Sequence, residues 1–342
     1  MKIYDLRNTK ELNIDDFLIQ REQSSYEEYE IAVSEILAQV KEKKDQALIE
    51  YTERFDKVLL TKESLKVSPK EIEEAYQKVP ADLVEVIKKA YDKIYRYHEK
   101  QKQYSWFDTD EYGTMLGQKV SALDRVGVYV PGGTAVYPSS VLMNILPAIV
   151  AGVKEIVMTT PLQKNGEVNP ATLVAADICK VSEIIKVGGA QAIAALAYGT
   201  ESIAKVDKIV GPGNIYVALA KKKVYGLVNI DSIAGPSEVL VIADESANPV
   251  YVAADLLSQA EHDVLASAVL VTTSETLALQ VQKELYAQAA TLSRESIIVE
   301  SLSRYGAIVI VDTLEDAIAI SDRIAPEHLE IVTKEPVMVM NK

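Results

Sequence analysis

One cysteine, Cys179, stands in 342 residues, so no internal disulfide can form and no multi-cysteine zinc or iron–sulfur site is possible. A reducing compartment suits such a chain. Histidine is almost as scarce, limited to His98, His262 and His328. Basic charge is short as well: 36 Lys and Arg against 50 Asp and Glu leave a formal net charge of −14. Nucleic acid and anionic membrane both call for a basic face, so neither is an expected partner. Long apolar runs are missing too. The longest, residues 141–153, is too short to span a bilayer and is interrupted by Asn144 and Pro147, which makes it a buried helix. The first residues, MKIYDLRNTKELNIDD, scatter charges without an apolar core and cannot act as a secretory signal, so the expected location is cytoplasmic.

The apolar content of 48% is ample for two domains of ordinary size. Residues 1–122 read as helical and heavily charged. Ser25 with Glu28 forms one capping-box pattern, and Ser68-Pro69 with Glu71 another. A third helical run, residues 81–103, carries Leu83, Val86, Ile87, Ala90, Tyr91 and Ile94 at helical spacing and needs a partner to cover them. Near residue 123 the composition changes, since twelve of the fifteen glycines fall between Val126 and Ser237. There VGVYV, EIVMTT, EIIKVGG, KIVGPGN and VNIDS alternate with helical runs, the signature of buried parallel strands joined by helical crossovers. A second alternating set follows from Glu238: EVLVIAD, ASAVLVTT, YGAIVIVD and HLEIVT are its apolar runs, and a strand-like VMVM ends the chain. The fold class is therefore α/β, with two Rossmann-like lobes of parallel sheet covered by helices and preceded by a helical segment. The expected domains are an N-terminal arm at 1–20, an α/β domain made of 21–122 with 238–342, and a Gly-rich α/β domain inserted at 123–237.

Two of the three histidines directly follow a glutamate, in Gln259-Ala260-Glu261-His262 and in Pro326-Glu327-His328. A Glu-His pair places two acid–base groups side by side, both able to work near neutral pH. Such a pair is also common on solvated surfaces, the class in which His98 is left. Gln259 and His262 are three apart, so one helix face can present an amide oxygen and an imidazole to a cation. Two donors do not make a zinc site, and a polar helix end is the plainer reading, with Asp255 and Asp263 nearby. Pro131-Gly132-Gly133-Thr134, Gly188-Gly189-Ala190-Gln191 and Gly211-Pro212-Gly213-Asn214 each follow a strand, where helix N-termini receive phosphate oxygens. G-x-G-x-x-G is absent, so these glycines serve tight turns equally well. Ala234-Gly235-Pro236-Ser237-Glu238 marks the crossing between lobes, where Ser237 can hydrogen-bond a ligand.

In this order, GVYVPGGTAVYPSSVLMN, VGGAQAIAALAYGT, KIVGPGNIYVALAKKKVYG, VNIDSIAGPSEVLVIAD, DLLSQAEHD and RIAPEHLEI resemble histidinol dehydrogenase. The resemblance implies oxidation of L-histidinol to L-histidine through an aldehyde, with two NAD and one zinc per site, in a homodimer of histidine biosynthesis. It implies NAD contacts at Tyr129, Gln191 and Asn214, and substrate contacts at Ser237, Gln259, His262 and His328. Gln259 and His262 fall at zinc-ligand positions, Glu327 and His328 at the catalytic pair. Members of that family continue past the position of Lys342 into a segment with an aspartate zinc ligand, a substrate-binding glutamate and a histidine that reaches the partner subunit. No histidine follows His328 here, so the expectation is two of four protein zinc ligands and doubtful activity. Two alternatives stay open: a dehydrogenase of another small amino or sulfonated alcohol, and a remnant that binds ligand without catalysis.

Overall fold

A computed structural model describes residues 1–8, 14, 26–132, 138–233 and 237–342. Strand β1 (Lys2–Asp5) is followed by helices α1 (Glu27–Lys43), α2 (Asp45–Asp56), α3 (Pro69–Lys78) and α4 (Ala81–Glu99), then by a hairpin of β2 (Trp106–Thr109) and β3 (Met115–Gln118). Next come β4 (Arg125–Tyr129), α5 (Pro138–Ala151), β5 (Glu155–Thr159), α6 (Pro170–Ile178), β6 (Glu183–Ile185), α7 (Gly189–Tyr198), β7 (Lys208–Val210), α8 (Ile215–Val224) and β8 (Asn229–Ile230). The last stretch holds β9 (Glu238–Ala243), α9 (Pro249–Ala260), β10 (Ser267–Thr272), α10 (Glu275–Ala289), α11 (Glu295–Tyr305), β11 (Gly306–Ile310), α12 (Leu314–Ile324), β12 (His328–Val332) and α13 (Pro336–Met340).

The chain separates into two compact units, Tyr26–Ala234 and Met1–Ser25 with Gly235–Lys342. In the first, five parallel strands take the order β6-β5-β4-β7-β8. Helix α7 is buried from Ala190 to Ala197, so it is apolar all round and needs cover on more than its sheet side. Helix α1 supplies that cover through Val33, Ile36, Leu37 and Val40, and α2 adds Ala47 and Leu48. Helix α3 packs on α6, and α4 packs on α5. The edge of β6 is closed by the segment before α3: Val67 N–H donates to Ile184 O at 2.9 Å, and Lys186 N–H to Leu65 O at 2.8 Å. An open strand edge is thereby protected from pairing with other chains.

This corrects the expected division. Residues 26–122 belong with the Gly-rich sheet rather than with 238–342, because α7 needs a second layer and β6 needs an edge cover. The inserted body is larger than the glycine count indicates. The unit that receives it is built from both ends of the chain, with sheet order β1-β11-β10-β9-β12, all parallel. Strand β1 pairs Lys2 with Ala307, so part of the expected arm is an edge strand.

Smaller differences have local causes. The capping box of Ser68 and Glu71 is present on α3. That of Ser25 lies outside the described residues, as do Gly133, Thr134 and 234–236. On α4 the core side is Val84, Ile87, Ala90, Tyr91 and Ile94, while Val86 is exposed. Helix α11 and the β2–β3 hairpin were not expected. The VMVM run is a short helix rather than a strand, since Pro336 sits at its first turn, where a missing N–H costs nothing.

A fragment of residues 26–234 should unfold cooperatively in urea, whereas 123–237 alone should aggregate for want of its second helical layer. Leu48→Ala, at a fully buried position, should cost the chain about 2–5 kcal/mol. A cooperative, soluble 123–237 fragment would contradict the revised boundary.

Candidate active site

Within Tyr26–Ala234 the three cofactor candidates lie at the carboxyl ends of strands or in the turns that follow. Tyr129 closes β4, is 4% exposed, and its hydroxyl accepts the Gly189 N–H at 3.1 Å. Burial pushes its phenol up to about 12, so it stays a neutral hydroxyl. Gly189, with φ +65°, opens α7, and the Gly188 N-cap provides no side-chain cap. Gly188 thus brings no side chain to the first turn of α7, where the Tyr129 hydroxyl takes the Gly189 N–H, and helix N-termini of this kind receive phosphate oxygens. Gln191 lies buried in that first turn. Asn214 is exposed and caps α8, its Oδ1 accepting the Val217 N–H at 3.2 Å.

Gly211, between β7 and Asn214, has φ +119°, and a Cβ there would sit 2.0 Å from the Tyr129 carbonyl oxygen. Only glycine lets these two strand ends approach so closely. Asp56, at the end of α2, is an addition the sequence did not offer. Its charge acts on Tyr129, and burial raises its carboxyl pKa. A cavity of about 810 Å³, lined by His98, Tyr104, Met143 and Pro147 among others, reaches this edge through Val210 and Asp231. Cys179 is free and buried, its thiol pushed up to about 12, which removes it from nucleophilic chemistry.

Within the other unit the remaining candidates gather at the opposite kind of edge, the amino ends of β9 and β12. His328 opens β12 opposite Val239, and Ser237 directly precedes β9. Ser237 O accepts the Ser267 N–H at 2.9 Å, which fixes it beside β10. Helix α9 runs back from the far end of β9, so its C-terminus carries Gln259 and His262 to this same edge. The His328 Nε2 lies 3.9 Å from Glu327 Oε1, with both side chains about half exposed. His262 is exposed just beyond the helix, and its carbonyl accepts from Arg294 at 3.2 Å.

The link between the two motifs is a carboxyl pair. Glu330 shares a strand face with His328, and its carboxyl hydrogen-bonds that of Asp255, which lies one turn before Gln259 on α9. Burial and the Asp255 charge raise the Glu330 pKa, while His328 partly opposes the rise. Glu330 was missed in the sequence, although its spacing of two from His328 on a strand is the signal that finds it. The donors for a metal are fewer. Gln259 and His262 supply an amide and an imidazole, and no group of three or more His, Cys, Asp or Glu among the described residues is arranged to hold an ion.

A carboxyl whose native pKa is raised favours folding at low pH and loses that contribution as pH rises through the native value. Glu330→Gln should therefore raise the urea midpoint near neutrality, with the gain fading as pH falls through the raised native value toward the ordinary 4.5 and absent below it. Equal midpoint changes at both ends of that range would show that the Glu330 carboxyl is not raised in the folded chain.

The histidinol dehydrogenase family profile matches residues 19–342. The chain is 58% identical to histidinol dehydrogenase of Clostridium acetobutylicum over 306 residues, covering 90% of this chain and 70% of that one. With histidinol dehydrogenase of Caldanaerobacter subterraneus it shares 55% identity over 98% of its own length and 78% of the relative's. A crystal structure of histidinol dehydrogenase from Elizabethkingia anophelis superposes with a TM-score of 0.87 at 38% identity, covering 97% of this chain and 75% of that chain. A strand-end cluster of Glu327 and His328, a glycine-built edge around Tyr129 and a match that runs nearly end to end agree: the chain belongs to the histidinol dehydrogenase family.

Proposed function

We propose that the chain is an NAD-dependent oxidoreductase that converts L-histidinol to L-histidine in two steps, through the aldehyde, as a cytoplasmic enzyme of histidine biosynthesis. The observation that carries this reading is the Glu327–His328 pair, exposed together at the amino end of β12 in a chain of this family.

NAD fits the glycine-built edge of the first unit. The α7 N-terminus, with Tyr129, Gln191 and Asn214, would hold its phosphates. When bound, NAD accepts one hydride in each step. His328 takes the proton of the substrate hydroxyl as the C–H hydride departs, which leaves the aldehyde. Glu327 then removes a proton from water as its oxygen attacks the aldehyde carbon, His328 returns its proton to the former aldehyde oxygen to give the hydrate, and His328 again takes a hydroxyl proton from that hydrate as the second hydride leaves. The Glu327 carboxylate, the His328 imidazole and water suffice for these proton movements. Ser237 and Gln259 offer hydroxyl and amide groups at the same edge for the polar ends of the amino alcohol.

Zinc, which the family resemblance implies, would find two donors among the described residues in Gln259 and His262, one short of the three that catalytic zinc ordinarily takes from protein. No step is assigned to it on this chain. A homodimer is part of the same reading.

Three outcomes test the proposal. Glu327→Gln should slow oxidation of histidinaldehyde by roughly 10²–10⁴ and oxidation of histidinol far less, because only the aldehyde step activates water. His328→Asn should slow both, and equal defects of Glu327→Gln in the two half-reactions would remove its assigned role. Mass-spectrometric zinc analysis of the purified 342-residue chain should find less than one ion per chain; a full equivalent that survives dialysis would mean that further donors close the site.

A further inference from the structure

Three consecutive lysines, Lys221 to Lys223, end α8, and they do not share a fate. Lys222 and Lys223 are exposed, whereas the Lys221 side chain is 4% exposed. A lysine drawn out of water at a helix end needs a compensating partner and a reason. Its ammonium runs back along the helix and donates to the Gly211 carbonyl at 3.0 Å, ten residues upstream. It also forms an ion pair with Asp231, just past β8. Asp231 turns its other oxygen to the same residue: Oδ2 accepts the Gly211 N–H at 2.8 Å. Its Oδ1 accepts the Ser232 N–H at 2.7 Å, which pins the carboxylate itself.

Gly211 is therefore held at its N–H and its C=O by two oppositely charged side chains that neutralise each other. It is also the residue whose left-handed backbone brings β7 against the Tyr129 carbonyl and sends the chain on to Asn214. We propose that Lys221 and Asp231 are positioning residues for the dinucleotide, fixing the Gly211 turn and hence the place of Asn214 and the α8 N-terminus at the cofactor edge. This rests on the reading that NAD binds at that edge. The pair divides itself between the N–H and the C=O of one residue and so fixes both peptide planes that flank Gly211. Neither residue touches the cofactor in this account; they act through Gly211.

Calorimetric titration of NAD into the 342-residue chain tests the inference, with Asn214→Ala as reference and all variants measured in the cold, where circular dichroism reports each folded. Lys221→Met leaves a half-buried carboxylate unpaired and can lower the melting temperature by itself. The double variant Lys221→Met/Asp231→Asn removes both charges together and separates stability from placement. NAD dissociation constants should rise roughly tenfold or more in Lys221→Met and in the double variant, a change equal to one charge-assisted hydrogen bond. The double variant should recover most of the melting temperature without recovering the affinity. If Asn214→Ala weakens NAD while the double variant binds as the parent does, the positioning role is wrong and the cofactor edge stands. If no variant, Asn214→Ala included, changes the affinity, the cofactor edge itself is misplaced and the inference falls with it.

Discussion

The approach of Gly211 to the Tyr129 carbonyl is the constraint on which the carboxyl edge of the first sheet depends. A side chain at 211 would overlap backbone atoms of β4, so the contact exists only because residue 211 has none. From that contact the rest follows in sequence. Adjacent strands β4 and β7 end at a common level, Tyr129 reaches across to the Gly189 N–H, and three turns that are far apart in the chain open on one edge. The same closeness leaves the Gly211 peptide groups turned away from any regular partner. A backbone N–H and C=O that are buried without partners each cost about 1–3 kcal/mol, and here two charged side chains accept and donate in their place.

A second layer of helices makes this edge rigid. The sheet of the first unit is short, with β8 only two residues long, and α7 has no polar face. Left as a lone α/β layer it would expose apolar surface of the kind that drives association. Helices α1 to α4 cover that surface, and polar ties reinforce the join. Lys186 pairs with Glu71 at 2.9 Å, and the Ser202 hydroxyl donates to the buried Asp45 carboxylate at 2.6 Å. The ties are satisfied at both ends, which is the condition under which buried polar groups stabilise rather than cost.

How much of this was legible in the sequence differs by level. Strands β4 to β12 could be read because parallel strands buried on both faces are short apolar runs between turn signals, and VGVYV or ASAVLVTT admits little else. Helix α11 hid between two such runs because ESIIVESLSRY mixes charges and β-branched residues without a strong cap. The allegiance of residues 26–122 could not be read at all. An amphipathic stripe such as Val84, Ile87, Tyr91 and Ile94 announces that it needs a partner, and carries no mark of which sheet supplies it. Among site residues, rare types stood out: two of three histidines and a glutamine on a helix turn. Glu330, Asp255, Lys221 and Asp231 are ordinary charged residues in a chain that is 25% charged, and only their pairing in space separates them from the solvated majority.

The candidate residues of the second unit lie at the amino edge of its sheet, whereas ligands of open parallel sheets ordinarily sit beyond the carboxyl ends of strands. Its physical basis lies in α9. A crossover helix runs antiparallel to its strands, so the amino edge of the sheet receives helix C-termini, whose partial negative charge favours cations and protonated groups. Gln259 and His262 occupy that end, and His328 enters from β12 beside them. Two carboxyls placed near a negative helix end would repel each other if both were ionised. At Glu330 burial and the Asp255 charge accordingly raise the carboxyl pKa. Glu330 stands two residues from His328 on the same strand face, so the strand that presents the imidazole at the amino edge also ties it to helix α9 through the Asp255 carboxyl, while the Glu327 side chain points into solvent beside it.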